Sequence, residues 1–552
     1  GKTRTLTNRI TNLINHGVPG GRILALAFNR KAMQEMNERL AARGVTGVNV
    51  RTFHSFGYEI ARQAGWHYDE ATRQTTLRQL LRQAVERHAT LPAHGKDPLA
   101  PYLAALRRAK LELPPLAEIT VRQDGKRVPF APIFETFLGL QTRRRALNFT
   151  DMIYQAIRAL LDDDALRDAV QNQFEYVLVD EFQDLNKAQM LLLQILALPE
   201  NNLFVVGDDD QMIYGWRGAE VRHILDFPKR YPTAETVILG INYRSARKIV
   251  NHSRWLIGHN PERVGKNIQA RQPAPSEGTG RGLLDIRLHD GVREQATGAA
   301  AWIASQKEAH GLEWDDFAVL YRANDDARNV IPALEKQGIP YAHAEESSLN
   351  GEDLPDGEDP PDGEGLPDTP QPGAVSLMSV HKAKGKEFPY VVYFNLSRGT
   401  AMVETRAPEE RRVAYVGVTR AQRGLLITAD RGWPSPFVKE LAINPEFDDF
   451  ARVYLERQAA IARKNRDRIA KTIKTRERKR DALLRKFPEL TGGPAPAGWR
   501  RKRRAAAAAR TIQKLGAEIE DRQAKFPLAL DRLDAIETEI RFRKLLGVKD
   551  KI

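Results

Sequence analysis

Short apolar runs, each ending at glycine or polar residues, alternate with helical patterns through the first 230 residues. Three of them are Arg22–Phe28 (RILALAF), Tyr176–Asp180 (YVLVD) and Leu203–Gly207 (LFVVG). Short buried strands between helices indicate a parallel sheet, and such sheets carry their chemistry at the carboxyl ends of the strands. The sequence therefore predicts an α/β fold with a site beyond these strand ends.

A second α/β region extends from about residue 233 to 430. Its candidate strands are Thr236–Leu239 (TVIL), Phe317–Leu320 (FAVL), Val375–Met378 (VSLM) and Tyr390–Phe394 (YVVYF). Residues 70–145 lack the pattern and are rich in Leu, Ala, Arg and Gln, which indicates an inserted helical subdomain. At 552 residues the chain is too long for one core, so several domains are expected. The predicted division is 1–66 with 146–232, a helical insertion at 67–145, 233–344 with 374–445, an acidic loop at 345–373, and a tail at 446–552.

The positive charge is concentrated near the end of the chain. The net charge is +14, but residues 451–552 hold 29 basic and 13 acidic residues, so residues 1–450 hold 56 basic and 58 acidic ones. A polyanion must therefore be bound by the body through individually placed residues. The absence of cysteine excludes disulfides, cysteine-ligated zinc and iron–sulfur clusters. No signal peptide and no run of about 18 apolar residues is found, so a cytoplasmic protein without membrane contact is expected.

Three acidic hexapeptides interrupt the second α/β region: GEDLPD (351–356), GEDPPD (357–362) and GEGLPD (363–368). Residues 345–368 contain ten acidic residues and neither Lys nor Arg. Such a composition cannot build a core, so a disordered loop is expected. Two roles stay open, a solvated loop or a mimic of nucleic acid that competes for the binding groove.

The tail is helical in pattern and basic. Ile512, Ile519, Phe526, Leu533 and Ile540 recur every seven residues. Helices over 447–486 and 501–546, joined by the Gly/Pro segment 492–498, would form an antiparallel hairpin. Arg500–Arg504 (RRKRR) adds a dense basic cluster. Both a solvated face and a phosphate-binding surface fit this composition.

The first residues, Gly1-Lys2-Thr3, have the GK[ST] ending of a phosphate-binding P-loop. In such loops the lysine reaches the β- and γ-phosphates and the hydroxyl holds Mg²⁺. The run 177–181 is an apolar strand that ends in Asp180 and Glu181. Asp180 would hold Mg²⁺ and Glu181 would polarise the attacking water. An acidic helix start is the competing interpretation of the two acids.

A third polar segment follows the strand candidate at 203–207. Gln211 is placed where a glutamine could sense the γ-phosphate of ATP. Tyr214 and Trp216 come shortly after it, and exposed aromatic rings can stack on bases of any sequence. Packing of Trp216 in a core is the alternative.

Nine blocks together resemble the UvrD/Rep/PcrA group of superfamily 1 DNA helicases, in the order of that family. They are AFNRKAMQEM (27–36), TFHSF (52–56), LNFTDMI (147–153), LVDEFQDLN (178–186), VVGDDDQMIYGWRGA (205–219), NYRS (242–245), VLYRAN (319–324), LMSVHKAKGKEF (377–388) and RRVAYVGVTRA (411–421). The resemblance implies two RecA-like parallel-sheet motor domains, ATP and Mg²⁺ as cofactors, and single-stranded DNA and its junctions with duplex as partners.

The resemblance also implies roles for single residues. Tyr243 would stack on adenine, Arg244 and Arg420 would reach the γ-phosphate from the second domain, and Glu387 would contact the ribose. The ATP-binding set implied in this way is completed by Gly1, Lys2, Thr3, Arg4 and Gly385, with Thr3 and Asp180 on the metal. The implied nucleic-acid track is Phe28, Asn29, Thr52, Phe53, His54, Tyr214, Trp216, Arg217, His381 and Lys382.

The sequence departs from the family pattern at two places. The family's P-loop begins before the position of Gly1, so we expect a chain shortened at its start that hydrolyses ATP poorly until it is extended upstream. Relatives also carry a large helical subdomain, termed 2B, where this chain has the acidic repeats, which would favour translocation over unwinding.

Three functions are compared on this basis. The leading one is an ATP-dependent DNA helicase or translocase that moves 3′ to 5′ and acts in repair or replication. The second is a single-strand-binding protein that does not hydrolyse ATP, and the third is a motor that moves on RNA.

Overall fold

A computed structural model describes residues 1–68, 73–91, 97–123, 126–271, 283–343, 372–397, 407–442, 448–491, 505–523 and 525–526. The acidic repeats, the basic cluster 500–504 and the heptad positions beyond 526 lie outside these ranges. The chain divides into two compact units, Gly1–Arg431 and Gly432–Ile552. Among the described helices, none is both long and apolar enough to cross a membrane.

The first unit begins with a four-stranded parallel sheet. Up to residue 68 its elements are α1 (Lys2–Asn15), β1 (Ile23–Ala27), α2 (Arg30–Ala41), β2 (Asn49–Thr52), α3 (Phe53–Gln63) and β3 (His67–Tyr68). An insertion adds α4 (Arg73–Glu86), α5 (Ala100–Leu111), β4 (Thr120–Gln123), β5 (Lys126–Pro129) and α6 (Ala131–Arg144). The chain then forms β6 (Ala146–Leu147), α7 (Phe149–Asp162), α8 (Asp164–Gln173), β7 (Tyr176–Val179), α9 (Lys187–Ala197), β8 (Leu203–Val205), α10 (Arg222–Leu225) and α11 (Phe227–Arg230). The strand order in the sheet is β2-β1-β7-β8.

Alternate residues of the central strands pack on opposite faces of this sheet, as the two-residue period of a strand requires. Ile23 and Ala25 pack with Leu6 and Ile10 of α1, whereas Leu24 packs in the cluster on the other face. All five residues of β1 are buried. The sheet is thus covered on both sides, and its polar chemistry is confined to the strand ends.

The insertion has a core of its own, built from α4, α5 and α6 with the antiparallel hairpin β4–β5. Its sequence predicted helices only, so the hairpin is a correction. Val121 of the hairpin is buried in this core, while Arg122 is exposed. That alternation is too short to stand out from the helical sequence around it. A buried ion pair between Lys110 of α5 and Asp151 of α7 joins the insertion to the sheet domain.

The second part of the first unit contains a six-stranded parallel sheet of order β11-β16-β15-β12-β14-β13. Its elements are β9 (Ile241–Asn242), α12 (Arg247–Gly258), β10 (Gln269–Ala270), β11 (Leu283–His289), α13 (Val292–His310), β12 (Phe317–Tyr321), α14 (Ala327–Lys336), β13 (Tyr341–His343), β14 (Val375–Ser379), β15 (Phe388–Phe394), α15 (Ala407–Val418) and β16 (Ala421–Asp430). The predicted α/β class with two parallel-sheet domains is confirmed. The exact domain boundaries stay a prediction.

One predicted strand of this part is wrong. Residues 236–240 have no strand partner, and Val237 is 79% exposed. Pairing begins only at Ile241, which lies opposite Gln269. The run TVIL connects the two sheet domains along an exposed path. Its β propensity does not form a ladder because no neighbouring strand lies beside it among the described residues.

The second unit is helical where it is described. It contains α16 (Pro436–Ala442), α17 (Asp448–Lys486) and a helix over residues 505–523. Ala505, Ala508, Leu515 and Ile519 are buried, at spacings of three, seven and four residues. This is the stripe by which one helix packs on another.

Candidate ATP and nucleic-acid site

Lys2 and Thr3 form the first turn of α1 and face the carboxyl end of β7. The Lys2 Nζ donates to Glu181 Oε2 over 2.5 Å, and the Thr3 hydroxyl donates to Asp180 Oδ2 over 3.2 Å. Glu181 adopts a left-handed conformation with φ of 47°, directly after the strand. The predicted phosphate-binding and metal-binding residues are therefore in contact, although 177 residues separate Thr3 from Asp180.

The two adjacent carboxylates differ in their electrostatics. Burial, together with the charge of Glu181, raises the pKa of Asp180 to about 6. Burial also acts to raise the pKa of Glu181, but Lys2 and Lys384 outweigh it and lower that pKa to about 2. Burial would lower the pKa of Lys2, yet Glu181 and the neighbouring aspartates raise it. Glu181 is thus a carboxylate held by two ammonium groups, whereas Asp180 has excess negative charge around it.

Two residues that the sequence did not single out, Gln183 and Lys384, bind groups beside the acidic pair. Gln183 donates its Nε2 to Glu181 Oε2 over 2.6 Å and to Asp184 Oδ2 over 3.0 Å. Lys384, from the segment after β14, forms an ion pair with Asp184 and donates to the carbonyl of Gln211 over 2.8 Å. Burial raises the pKa of Asp184 to about 6 in spite of Lys384. One lysine of the second sheet domain therefore reaches the candidate site of the first.

Gln211 follows β8 and is held by Asp208, whose Oδ2 accepts its Nε2 over 2.7 Å. Lys266 forms ion pairs with Asp208, Asp209 and Asp210 together. Burial would raise the pKa of Asp208, but Lys266 and Lys2 outweigh it and lower it to about 2. The three aspartates have the ligand spacing of a metal site, but the Lys266 ammonium already supplies the cation.

Four of the predicted ATP residues that belong to the second sheet domain are Tyr243, Arg244, Gly385 and Glu387. Arg244 and Glu387 form an ion pair, and Gln422 donates to Glu387 over 2.9 Å. Tyr243 is 69% exposed, as a ring that stacks on a base would need to be. Gly385 adopts a left-handed φ of 84°. Gly1 and Arg4, by contrast, are exposed at the start of α1.

Arg420 is the least exposed of the predicted ATP residues, at 1%. Its guanidinium donates to the carbonyls of Val416 and Lys386, over 2.9 and 3.1 Å. Burial, with the charge of Arg244, lowers the pKa of Arg420 to about 9, and Glu181 acts in the opposite sense. The guanidinium is therefore bound to backbone carbonyls, and the predicted contact with a phosphate would require it to turn.

Five predicted nucleic-acid residues form one aromatic cluster. The rings of Phe28 and Tyr214 stack with centroids 5.3 Å apart, and the Arg217 guanidinium lies 4.9 Å from the Tyr214 ring and 4.7 Å from the Trp216 ring. His381 of the second domain lies 6.4 Å from Trp216. Trp216 is 43% exposed, whereas Tyr214 was expected to be exposed and is only 6% exposed. Tyr214 is covered by Phe28, Arg217 and Lys384, so Trp216 is the ring that meets solvent.

The other predicted track residues are placed differently. Phe53 is 2% exposed within the core of the first sheet domain, and Thr52 and Asn29 cap α3 and α2 with their side-chain oxygens. His54 is buried and stacks on Phe149 with centroids 3.8 Å apart. Lys382 is half-buried next to His381. The nucleic-acid contacts of this group stay a prediction.

Sequence reasoning missed Gln183, Asp184, Lys266 and Lys384 as parts of the site. Gln183, Asp184 and Lys384 lie inside the blocks that carry the family resemblance, but nothing in the sequence shows which residues pair across 200 positions. Lys266 lies in a segment without a strand or helix pattern. What identifies Lys266 is its contact with a run of three aspartates, and only the structure shows that contact.

Comparison with known proteins gives the family. The sequence model of the UvrD/REP helicase N-terminal domain matches residues 1–232, and that of the UvrD-like helicase C-terminal domain matches residues 237–349 and 364–432. The chain is 34% identical over 352 residues to the ATP-dependent DNA helicase PcrA of Leuconostoc citreum. It is 32% identical over 358 residues to the putative ATP-dependent DNA helicase YjcD of Bacillus subtilis.

These matches cover part of each protein. Each of the two relatives aligns with 62% of this chain, which spans 46% of the PcrA sequence and 45% of YjcD. A solved structure, the C-terminal domain of a possible DNA helicase from Lactobacillus plantarum, is 16% identical with a TM-score of 0.24, covers 37% of this chain, and supports no argument. The two family models together take in both parallel-sheet domains with the contacts described above, and the chain belongs to the UvrD/Rep/PcrA family of superfamily 1 helicases.

Proposed function

We propose that this chain is an ATP-dependent DNA helicase or translocase that moves 3′ to 5′ along single-stranded DNA. One observation carries the proposal. The phosphate-binding lysine and the acidic pair of the first sheet domain face basic residues of the second, with Lys384 already in contact across the cleft. A nucleotide bound there would be gripped by both domains, which is the arrangement that converts hydrolysis into relative domain movement.

Hydrolysis would use the two carboxylates differently. Lys2 would exchange Glu181 for the β- and γ-phosphates, since the ammonium is within 2.5 Å of that carboxylate and has no other fixed role. Glu181 would then be free to orient the attacking water and accept its proton. Gln183 keeps the carboxylate pointing into the cleft during this exchange.

A divalent cation fits beside this pair. The Thr3 hydroxyl and the Asp180 carboxylate are oxygen donors in contact, which is the donor chemistry that Mg²⁺ prefers. The Lys2 ammonium forms its ion pair with Glu181, which leaves the Asp180 carboxylate for the cation. When bound, Mg²⁺ would neutralise charge on the phosphate oxygens. Thr3 and Asp180 are the residues that would hold it.

Arg244 and Arg420 would stabilise the transferring phosphoryl group from the second domain. Both are occupied without nucleotide, Arg244 by Glu387 and Arg420 by backbone carbonyls. A phosphate that drew the two guanidinium groups away from these partners would close the cleft, and its release would open it. Closure thus depends on whether a γ-phosphate is present.

The aromatic cluster would form the DNA track. Trp216 offers an exposed ring backed by Arg217, and His381 adds a group from the second domain. Stacking on a ring is worth roughly 1–3 kcal/mol per base and does not depend on sequence, which suits a motor. Because residues of both domains meet here, closure of the cleft would change the grip on the strand.

The test is ATP hydrolysis with and without single-stranded DNA. Stimulation by the strand, its loss in Lys2→Ala, and unchanged strand binding by that variant are expected. Since it removes a phosphate contact, the substitution should lower kcat by about 10²–10³-fold. Direction is read by displacement of streptavidin from biotin at either end of an oligonucleotide. Turnover that DNA leaves unchanged would contradict the proposal.

A further inference from the structure

One face of α17 carries an uninterrupted row of exposed side chains over six turns. Every position of this row is exposed, and the positions recur at spacings of three and four residues, which keeps them on one side of a helix. Five of the seven are basic and none is acidic; we call the five the basic stripe. The row is Lys464, Arg468, Lys471, Thr475, Arg478, Ala482 and Arg485.

The opposite face of α17 is the packed one. Ile469, Ile473 and Leu483 are partly buried there, and Arg476 pairs with Glu518 of the helix over 505–523 with a nitrogen–oxygen distance of 2.5 Å. Glu518 is adjacent to the buried Ile519, so the ion pair borders the packed side of that helix. The hairpin contacts therefore use the face of α17 that lies away from the basic stripe.

Two of the three acidic residues near the stripe form ion pairs with neighbouring arginines. Residues 463–486 contain twelve basic and three acidic residues, a net charge of +9. Asp467 accepts two hydrogen bonds from Arg466, and Asp481 accepts two from Arg480. The stripe thus keeps its positive charge without an acidic residue in its row.

The length and composition of the stripe select the kind of polyanion. From residue 464 to 485 the helix rises about 32 Å, close to the roughly 34 Å of one turn of a DNA duplex. Single strands are held mainly by aromatic platforms, and residues 463–486 contain no aromatic residue. A row of cations along one face of a helix, without aromatic rings, matches the regularly spaced phosphates of a duplex instead.

We infer that the basic stripe is a docking surface for duplex DNA, separate from the single-strand track. The inference deepens the proposed function, since a motor on a single strand would use such a surface to hold the adjoining duplex. Its contacts would go to phosphates and carry no sequence preference. The stripe lies beyond residue 432, where the match to the family model ends.

The test is equilibrium binding of the full chain to a blunt 20-base-pair duplex and to a 20-nucleotide single strand, without ATP, from 50 to 200 mM salt. The stripe variant carries Lys464→Gln, Arg468→Gln, Lys471→Gln, Arg478→Gln and Arg485→Gln. Glutamine retains helix propensity, and circular dichroism verifies that helix content is unchanged. The control variant removes five exposed charges of the second sheet domain by Arg287→Gln, Arg293→Gln, Arg328→Gln, Lys336→Gln and Arg423→Gln.

If all five side chains meet phosphates, the stripe variant should lose about 4.5 from the slope of log affinity against log salt for the duplex. Over this fourfold range of salt, wild type would then weaken about 500-fold more than the variant. Single-strand binding should keep its slope, and the control variant should keep both. If the control variant lost as much of the duplex salt slope as the stripe variant, net charge alone would explain the loss and the inference would be overturned.

Other outcomes identify other occupants. An equal loss of single-strand and duplex affinity would make the stripe part of the track and refute a duplex surface. Tight binding of a synthetic peptide with the sequence of residues 351–368, unaffected by duplex, would assign the stripe to this chain's own acidic repeats. Because no step needs ATP, failure of DNA-stimulated hydrolysis would refute the proposed function without deciding this result.

Discussion

Removing the charge of Lys384 should weaken closure of the cleft between the two sheet domains without lowering the stability of either domain. Its ammonium forms an ion pair with Asp184, donates to the carbonyl of Gln211, and lies 4.7 Å from the centre of the Tyr214 ring. All three partners belong to the first sheet domain, whereas Lys384 follows β14 of the second. The substitution Lys384→Met keeps the length of the side chain and removes the charge.

The size of the effect follows from the hydrogen bonds that Asp184 would keep in the Lys384→Met variant. Its Oδ2 would keep only the Gln183 amide, and among the described residues its buried Oδ1 has no hydrogen-bond partner. Breaking a buried ion pair by removal of one partner costs about 3–5 kcal/mol, and the remaining amide favours the lower value. Once the cleft opens, water reaches Asp184, so the cost applies to the closed arrangement alone. A cost of about 3 kcal/mol corresponds to roughly a 150-fold shift toward the open form.

The assay combines ATP hydrolysis with a distance measurement between the domains. The chain has no cysteine, so cysteines introduced at the exposed positions Glu38 of α2 and Glu308 of α13 can carry a fluorescent pair. Lys384→Met should lower transfer efficiency and raise the KM for ATP by up to roughly 150-fold, with Lys336→Met of the exposed α14 surface as the control. Unchanged transfer together with an unchanged KM would refute the reasoning.

Three further predictions concern acidity, the inserted subdomain and the track. Because the pKa of Asp180 is raised to about 6, Mg²⁺-dependent hydrolysis should decline as pH falls through 6, and excess Mg²⁺ should shift that decline to lower pH; a profile indifferent to Mg²⁺ would contradict it. Lys110 and Asp151 are 1% and 0% exposed, so Lys110→Met should lower the free energy of unfolding of this region by about 3 kcal/mol. Hydrogen exchange in peptides 100–111 and 149–162 should then rise roughly 150-fold, and exchange at wild-type rates would contradict the prediction. Trp216→Ala should weaken single-strand affinity by roughly 5–150-fold, with Trp216→Phe intermediate and duplex affinity preserved, and equal losses on both DNAs would remove the ring from the track.

Much of the fold was predictable because the strands that matter are buried on both faces. The runs at 22–28, 176–180 and 317–320 form β1, β7 and β12, with ends that differ by at most one residue. The run at 236–239 has the same composition but no neighbouring strand, so it stays an exposed connection. Apolar content predicts burial in a sheet only when the topology supplies a partner, and that information is not local.

The residue types of the candidate site were predictable, but the contacts between their side chains were less so. Spacing and chemistry indicated Lys2, Asp180 and Glu181, and the structure brings their side chains together. The sequence could not indicate that the Tyr214 ring would be covered, because the covering groups come from positions 28, 217 and 384. Exposure of an aromatic ring depends on what other segments place over it.

The position of Lys384 offers a physical reason why strand binding and hydrolysis would be coupled. On one side its ammonium lies over Tyr214, which adjoins the exposed ring of Trp216. On the other it holds Asp184, whose neighbour Gln183 donates to Glu181, the carboxylate proposed to orient the attacking water. A base that stacks on Trp216 and shifts Tyr214 would therefore move the cation that helps to set Glu181. If this link carries the coupling, Lys384→Met should lower stimulation by DNA more than basal hydrolysis at saturating ATP, because basal turnover does not need the contacts from Trp216 to Glu181 whereas stimulation does.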